Sequence, residues 1–222
     1  MTKDEFIPSL SAKAQNIVEQ NLHKFSELNF DVFYSNYSKI VSDGSSHYII
    51  YVSDKVKEDI EYRFLHEFFH CVQGEEGFPT IISQNKEHKE LAIYLSSIIL
   101  DLDVRERLEK NGYYQDLKYI KETTKAQIYH LKQLRQYPIL REQIDINEII
   151  STSGLLITND VANVDNTELI KFLKMTMPQV IKYYKIFCDC INKYSYSNPE
   201  DVRKIFETLI DKFDFSSYME IT

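Results

Sequence analysis

The chain of 222 residues has no tryptophan, only five glycines and only five prolines. So few chain-turning residues exclude a loop-rich all-β fold and favour long regular elements. There are three cysteines, Cys71, Cys188 and Cys190. An odd number, with two of them one residue apart, excludes a disulfide framework and suits a reducing compartment. Basic blocks are missing, and the formal net charge is −8. That balance argues against nucleic acid or an anionic membrane surface as the main partner. Long apolar runs are also missing: runs such as residues 98–100 are far too short for a bilayer, and MTKDEFIPSLSAK carries no apolar leader segment. The expectation is a cytoplasmic protein with no membrane partner.

What is present is a core: 43% of the residues are hydrophobic. Residues 11–28 read as an amphipathic helix, with Ala14, Ile17, Val18, Leu22 and Phe25 at helical spacing. Residues 30–34 and 47–52 are rich in β-branched and aromatic side chains, and the turn signal at 43–46 predicts that they pair as a hairpin. Ser53-Asp54 then caps a helix running to about Gln73 and ending at Gly74, followed by a loop over 75–79. A second helix covers about 86–110 and stops at Asn111-Gly112. Beyond residue 114 the chain reads as helical. It is interrupted near Pro138 and Pro178, has a short element over 144–151, and ends in a helix capped by Asn198 with Pro199 in its first turn. The fold class is therefore α+β and predominantly helical. A small β-sheet or hairpin precedes a central helix within residues 1–112, and a helical extension over 113–222 packs on that core, or the whole forms one domain.

The chemistry is concentrated in His66-Glu67-Phe68-Phe69-His70. Histidines at i and i+4 lie on one helical face, so their imidazoles can converge on one zinc ion. Glu67 can then act as general base toward a zinc-activated water. Phe64, Leu65, Phe68, Phe69 and Val72 mark the helix as buried, and buried histidines need partners. A sheet edge beside such a helix can hold an extended peptide. Cys71 follows His70 but points off the two-histidine face, so packing is its expected role. Cys188 and Cys190, at i and i+2, face apart and are read the same way.

A catalytic zinc site usually takes three protein ligands and leaves a fourth position open. Glu75 and Glu76 sit in a loop leaving the ligand face, and His88 is a further possibility. A metzincin motif is excluded, because position 73 is Gln and position 76 is Glu. On the second helix, Glu90 and Asp101 share one face, three turns apart, while Asp103 points elsewhere.

With LHEFFH at 65–70, GFP at 77–79 and LAIYLSSIILDLDVRERLEKNGY at 91–113, residues 47–112 resemble the zincin-like metallopeptidases. The resemblance is to the gluzincin side that includes the ImmA/IrrE-type cytoplasmic proteases. It implies a zincin-like core, a Zn2+ cofactor held by His66 and His70, and an acidic third ligand on the next helix. Gluzincins use Glu there, commonly with Asp one turn later, whereas Glu90 here is followed one turn on by Tyr94. The third ligand is accordingly expected at Asp101, with Glu90 as the alternative. Tyr94 is a candidate for oxyanion stabilisation, although a packing role is the stronger expectation. The implied activity is zinc-dependent hydrolysis of peptide bonds in a protein or peptide substrate, with Glu67 catalytic. The alternative is a non-catalytic zincin-fold regulatory or partner-binding protein whose metal is structural or absent. The presence of Glu67 favours the enzyme.

Overall fold

The computed structural model describes residues 1–42, 46–53, 59–114, 116–136 and 144–222. The fold is α+β and predominantly helical, with two small sheets. Backbone contacts group it into two units, Met1–Phe78 with Val104–Gln115, and Pro79–Asp103 with Asp116–Thr222.

In the first unit, a short helix α1 (Lys3–Phe6) leads to α2 (Ala12–Lys24), which starts where the Ser11 hydroxyl accepts from Ala14 N–H. The apolar stripe of α2 buries Ala14, Ile17 and Val18. Three strands follow, β1 (Asn29–Ser35), β2 (Lys39–Ser42) and β3 (His47–Ser53), with β3 in the centre. Alternation along β1 and β3 turns Phe30, Val32, Tyr48, Ile50 and Val52 inward. Helix α3 (Ile60–Glu75) lies on this face through Phe64 and Phe68. Phe30 sits 5.7 Å from Phe64 and 5.6 Å from Phe68 between ring centroids, and Phe6 packs on Phe64 at 4.7 Å. Each such ring contributes roughly 1.5–3 kcal/mol of burial free energy.

Residues 30–34 and 47–52 do share a sheet, but not as the expected hairpin. β1 runs parallel to β3, from Asn29↔His47 to Ser35↔Ser53, while β2 is antiparallel to β3. The chain crosses the end of β3 between Ser35 and Lys39. There Ser53 N–H donates to Ser38 Oγ at 2.9 Å and Ser53 Oγ to the Asn36 carbonyl at 3.4 Å. The turn at 43–46 and the Ser53-Asp54 cap lie partly outside the described residues, as does the interruption at Pro138.

Helix α3 does not stop at Gly74 but continues to Glu75, and Gly77 carries the positive φ of 79° that ends the segment. Gly74 has a different role. A Cβ there would lie 2.5 Å from Tyr48 Oη. Tyr48 cannot yield freely, because its hydroxyl donates to Glu75 Oε1 at 2.9 Å and its side chain is buried.

Helix α4 (Lys89–Lys110) is preceded by a 3-10 turn over Lys86–His88 and ends at Gly112, with φ 71°. Its final turns belong to the first unit and are tied there at three points. Arg107 reaches Glu76 at 2.6 Å, Tyr113 donates to Glu61 at 2.7 Å, and Lys13 donates to the Gly112 carbonyl at 3.0 Å. Burial pushes the Glu61 carboxyl up. Hydrogen bonds from Ser11 N–H, Tyr113 and the Ser11 hydroxyl, together with nearby Lys13, outweigh that, and the net shift is downward.

In the second unit, β4 (Ile81–Ser83) pairs antiparallel with the final strand β5 (Met219–Ile221). Between them run α5 (Asp116–Gln136), α6 (Ile146–Val161), α7 (Thr167–Thr176), α8 (Pro178–Lys193) and α9 (Pro199–Lys212). Leu131, Leu134, Leu156, Leu169, Leu173, Met177 and Val180 form the core between these helices. The element expected over 144–151 is a four-turn helix. Its weak helix formers Thr152, Ser153 and Gly154 are buried, and a Cβ on Gly154 would meet Ile98 at 2.5 Å. Pro178 separates α7 from α8, and the Asn198 side chain caps α9 by accepting from Asp201 N–H at 3.1 Å. Among the described residues, no helix is long and apolar enough to cross a membrane.

Two outcomes follow for stability. Gly74→Ala lowers it by about 1–3 kcal/mol in denaturant unfolding, despite alanine's higher helix propensity. The loss shrinks in a Tyr48→Phe background, where the obstructing oxygen is gone; an equal loss in both backgrounds refutes the steric account. Glu61 has a lowered folded pKa. Its contribution is therefore present above the ordinary glutamate value of ~4.3 and is lost as pH falls through the lowered one. Glu61→Gln then costs about 1 kcal/mol at pH 7, after allowance for solvent screening. The difference from wild type fades below about pH 4, as paired unfolding curves at the two pH values will show.

Candidate metal centre

Helix α3 supplies two histidines because its rotation is fixed by phenylalanine packing. At 100° per residue, Phe64 and Phe68 lie about 40° apart, while His66 and His70 lie roughly 200° from each of these in turn. Seating the phenylalanines against the sheet therefore turns both imidazoles to the opposite side. Their ring centroids stand 5.1 Å apart, with planes at 76°. Tyr62, one turn earlier, places its ring 6.5 Å from His66. Glu67, next in the chain after His66, is only 8% exposed.

The ligand atoms of His66, His70 and Asp101 all lie within 4.8 Å of one another, and each of the three residues is partly exposed. Ligands around a zinc at ~2.0–2.2 Å stand roughly 3.3 Å apart in a tetrahedron, so small side-chain rotations close the set. Asp101 stands less than one turn before Val104, where α4 enters the first unit. It precedes Arg107, which is bound to Glu76 just after α3, by six residues.

The other acidic candidates have different surroundings. Glu90 and Tyr94 are exposed and are not part of the cluster. Glu75 accepts from Tyr48 and from Ser46, at 2.9 and 3.1 Å. Glu76 bridges Lys24 and Arg107, at 2.8 and 2.6 Å. Burial pushes the Glu76 carboxyl up, but its two cationic partners pull it below the ordinary range. His88 stacks on Tyr218 at 4.0 Å between ring centroids. Cys71 is buried, and its thiol donates to the Glu67 carbonyl at 3.5 Å. Burial first, then the Glu67 charge, raises its pKa well above the ordinary thiol value. A thiol held protonated is a poor metal ligand, so Cys71 does not compete with the imidazoles.

One neighbour of the site stood in the sequence only as the residue that breaks a metzincin motif. Gln73 is 2% exposed, and its Oε1 lies 2.9 Å from His70 Nδ1. A glutamine three residues beyond the second histidine, directly after the apolar Cys71-Val72, is the signal that marks it.

Compared with protein-family models, curated proteins and solved structures, the chain matches none.

The donor set suits zinc: two imidazoles and one carboxylate are the ligand types of zinc sites that keep an open position. After mild chelator dialysis, about one zinc per chain is expected by elemental analysis. Asp101→Ala should weaken zinc binding by one to several orders of magnitude, and Glu90→Ala should leave it unchanged. Stripping by Glu90→Ala but not by Asp101→Ala would move the third ligand to Glu90.

Proposed function

We propose that the chain is a zinc-dependent peptidase with a zincin-like core, acting on a protein or peptide substrate. The observation that carries this reading is the triangle of His66, His70 and Asp101 ligand atoms, with the buried Glu67 next to His66 in the chain. Structural zinc sites are closed by four protein ligands, whereas catalytic ones use three and leave a position for water or substrate. Three ligand-bearing side chains meet here among the described residues.

When bound, zinc supplies Lewis acidity, bringing the pKa of a water toward ~7 and polarising a carbonyl. The chain's own residues do the rest. Glu67 precedes His70 by three positions and lies about 60° from it around the helix, so its carboxylate would approach the ligand face from beside it. It takes the proton of the attacking water and hands it to the leaving amine nitrogen. Substrate backbone is offered the sheet. The outer edge of β1 is covered at Val32, which accepts from the Met1 ammonium and donates to the Met1 carbonyl, at 2.8 and 2.7 Å. β2 is the other edge, and an extended peptide can add to it by backbone pairing. The free thiols Cys71, Cys188 and Cys190 support a reducing compartment such as the cytoplasm.

The test is Glu67→Gln, which keeps the shape of the side chain but cannot accept the proton at neutral pH. The variant should hold zinc and stay folded while turnover falls roughly a hundredfold or more. Narrow proteases ignore generic peptides, so wild type and variant are compared in cell lysate for new amino termini. Termini made only by wild type support the reading. Equal cleavage by both removes Glu67 from the chemistry, and no cleavage by either, with zinc loaded, points to a non-catalytic role.

A further inference from the structure

Gln73 is a buried polar group in contact with His70 of the centre. A primary amide moved from water into an apolar interior costs several kcal/mol on transfer scales unless its polar atoms are partnered. Yet this one sits in the last turns of α3, among residues the helix packs away, at 2% exposure. Its main chain is held as well, since the Gln73 carbonyl accepts from Phe78 N–H at 3.0 Å. The backbone is thus fixed by the helix end, and the side chain by burial.

The contact with His70 has a defined polarity. An amide oxygen has no hydrogen, so at 2.9 Å the Gln73 Oε1 accepts and His70 Nδ1–H donates. In a neutral imidazole that leaves the lone pair on Nε2, so the tautomer is set by the bond rather than by chance. The same bond fixes the ring's rotation about its Cβ–Cγ axis. Groups that grip the second nitrogen of a metal-binding histidine do both, and losing them typically costs 10–100-fold in metal affinity. By angle around α3, Gln73 falls about 20° from His66 and 60° from His70, on the side turned from the sheet. It is therefore placed to serve the metal face rather than the sheet.

We propose that Gln73 is a positioning residue, presenting Nε2 of His70 to the metal through its side-chain carbonyl. The inference rests on the zinc reading above and assigns to Gln73 no contact with metal or substrate.

The test compares zinc affinity, by competition with a chromophoric chelator, for the wild-type chain, Gln73→Met and Gln73→Glu. Met fills a similar volume but offers no strong acceptor, and Glu restores one. Gln73→Met should bind zinc about 10–100-fold more weakly, and Gln73→Glu should return to within a few-fold of wild type. Unchanged affinity in Gln73→Met overturns the proposal and leaves the zinc site standing. Equal losses in Met and Glu variants also overturn it, because the effect then follows packing rather than the acceptor. Absence of zinc binding by wild type overturns the zinc reading, and the positioning role with it. If Gln73→Met does not fold, the tautomer of His70 in metal-free wild type decides, read from long-range proton–nitrogen correlation spectra. A proton on Nδ1 supports the proposal; a proton on Nε2 overturns it.

Discussion

The rotation of α3 about its own axis is the constraint on which the rest depends. An imidazole pair at i and i+4 is useful only if the helix turns that pair toward other ligands, and a helix by itself has no preferred rotation. Here rotation is set by Phe6, Phe30, Phe64 and Phe68, whose rings meet within 4.7–5.8 Å. Those contacts are apolar, short-ranged and densely packed, so a turn of the helix by one residue would open a cavity and drive polar groups inward. The burial that stabilises the first unit is also what aims His66 and His70.

Asp101 requires a second constraint, because it is carried by another helix. The end of α4 is joined to both ends of α3, through Arg107 to Glu76 and through Tyr113 to Glu61. Glu76 is partly shielded, and its carboxylate is held charged by Arg107 and Lys24 together. A guanidinium–carboxylate contact fixes direction as well as distance. Asp101 is about 9 Å along the helix from Arg107 by the rise per residue.

Much of this was legible in the sequence where the signal is local. The i, i+4 histidines, the stripe on α2, the Asn198-Pro199 start of α9 and the break at Pro178 all depend on residues within one or two turns. What was not legible depends on partners far along the chain. A turn signal at 43–46 marks where a strand ends, but not which strand precedes it. Lys39–Ser42 is largely exposed and has no apolar alternation to announce it, so the preceding apolar segment was paired in its place. Gly74 reads as a helix stop until Tyr48, 26 residues earlier, is seen to occupy the space of its Cβ. Strands β4 and β5 are three residues each and lie 135 residues or more apart along the chain, beyond any window of periodicity. At the centre, composition and motif named His66, Glu67 and His70 directly. Asp101 came from a resemblance and Gln73 from neither, because a hydrogen bond to a ring nitrogen leaves no periodic trace.

The same physics bears on the choice between an enzyme and a binding module built on this fold. Glu67 is the discriminating group. A carboxylate at 8% exposure next to a buried thiol carries a desolvation cost, and its charge adds to the burial that keeps Cys71 protonated. A metal held only for structure has no need of a carboxylate at this position, whereas hydrolysis needs a base beside the metal. In the hydrolytic reading the carboxylate has a use: beside an open metal position it would accept the proton of the attacking water. A carboxylate at position 67, added to the triangle of His66, His70 and Asp101, is what weights the reading toward catalysis.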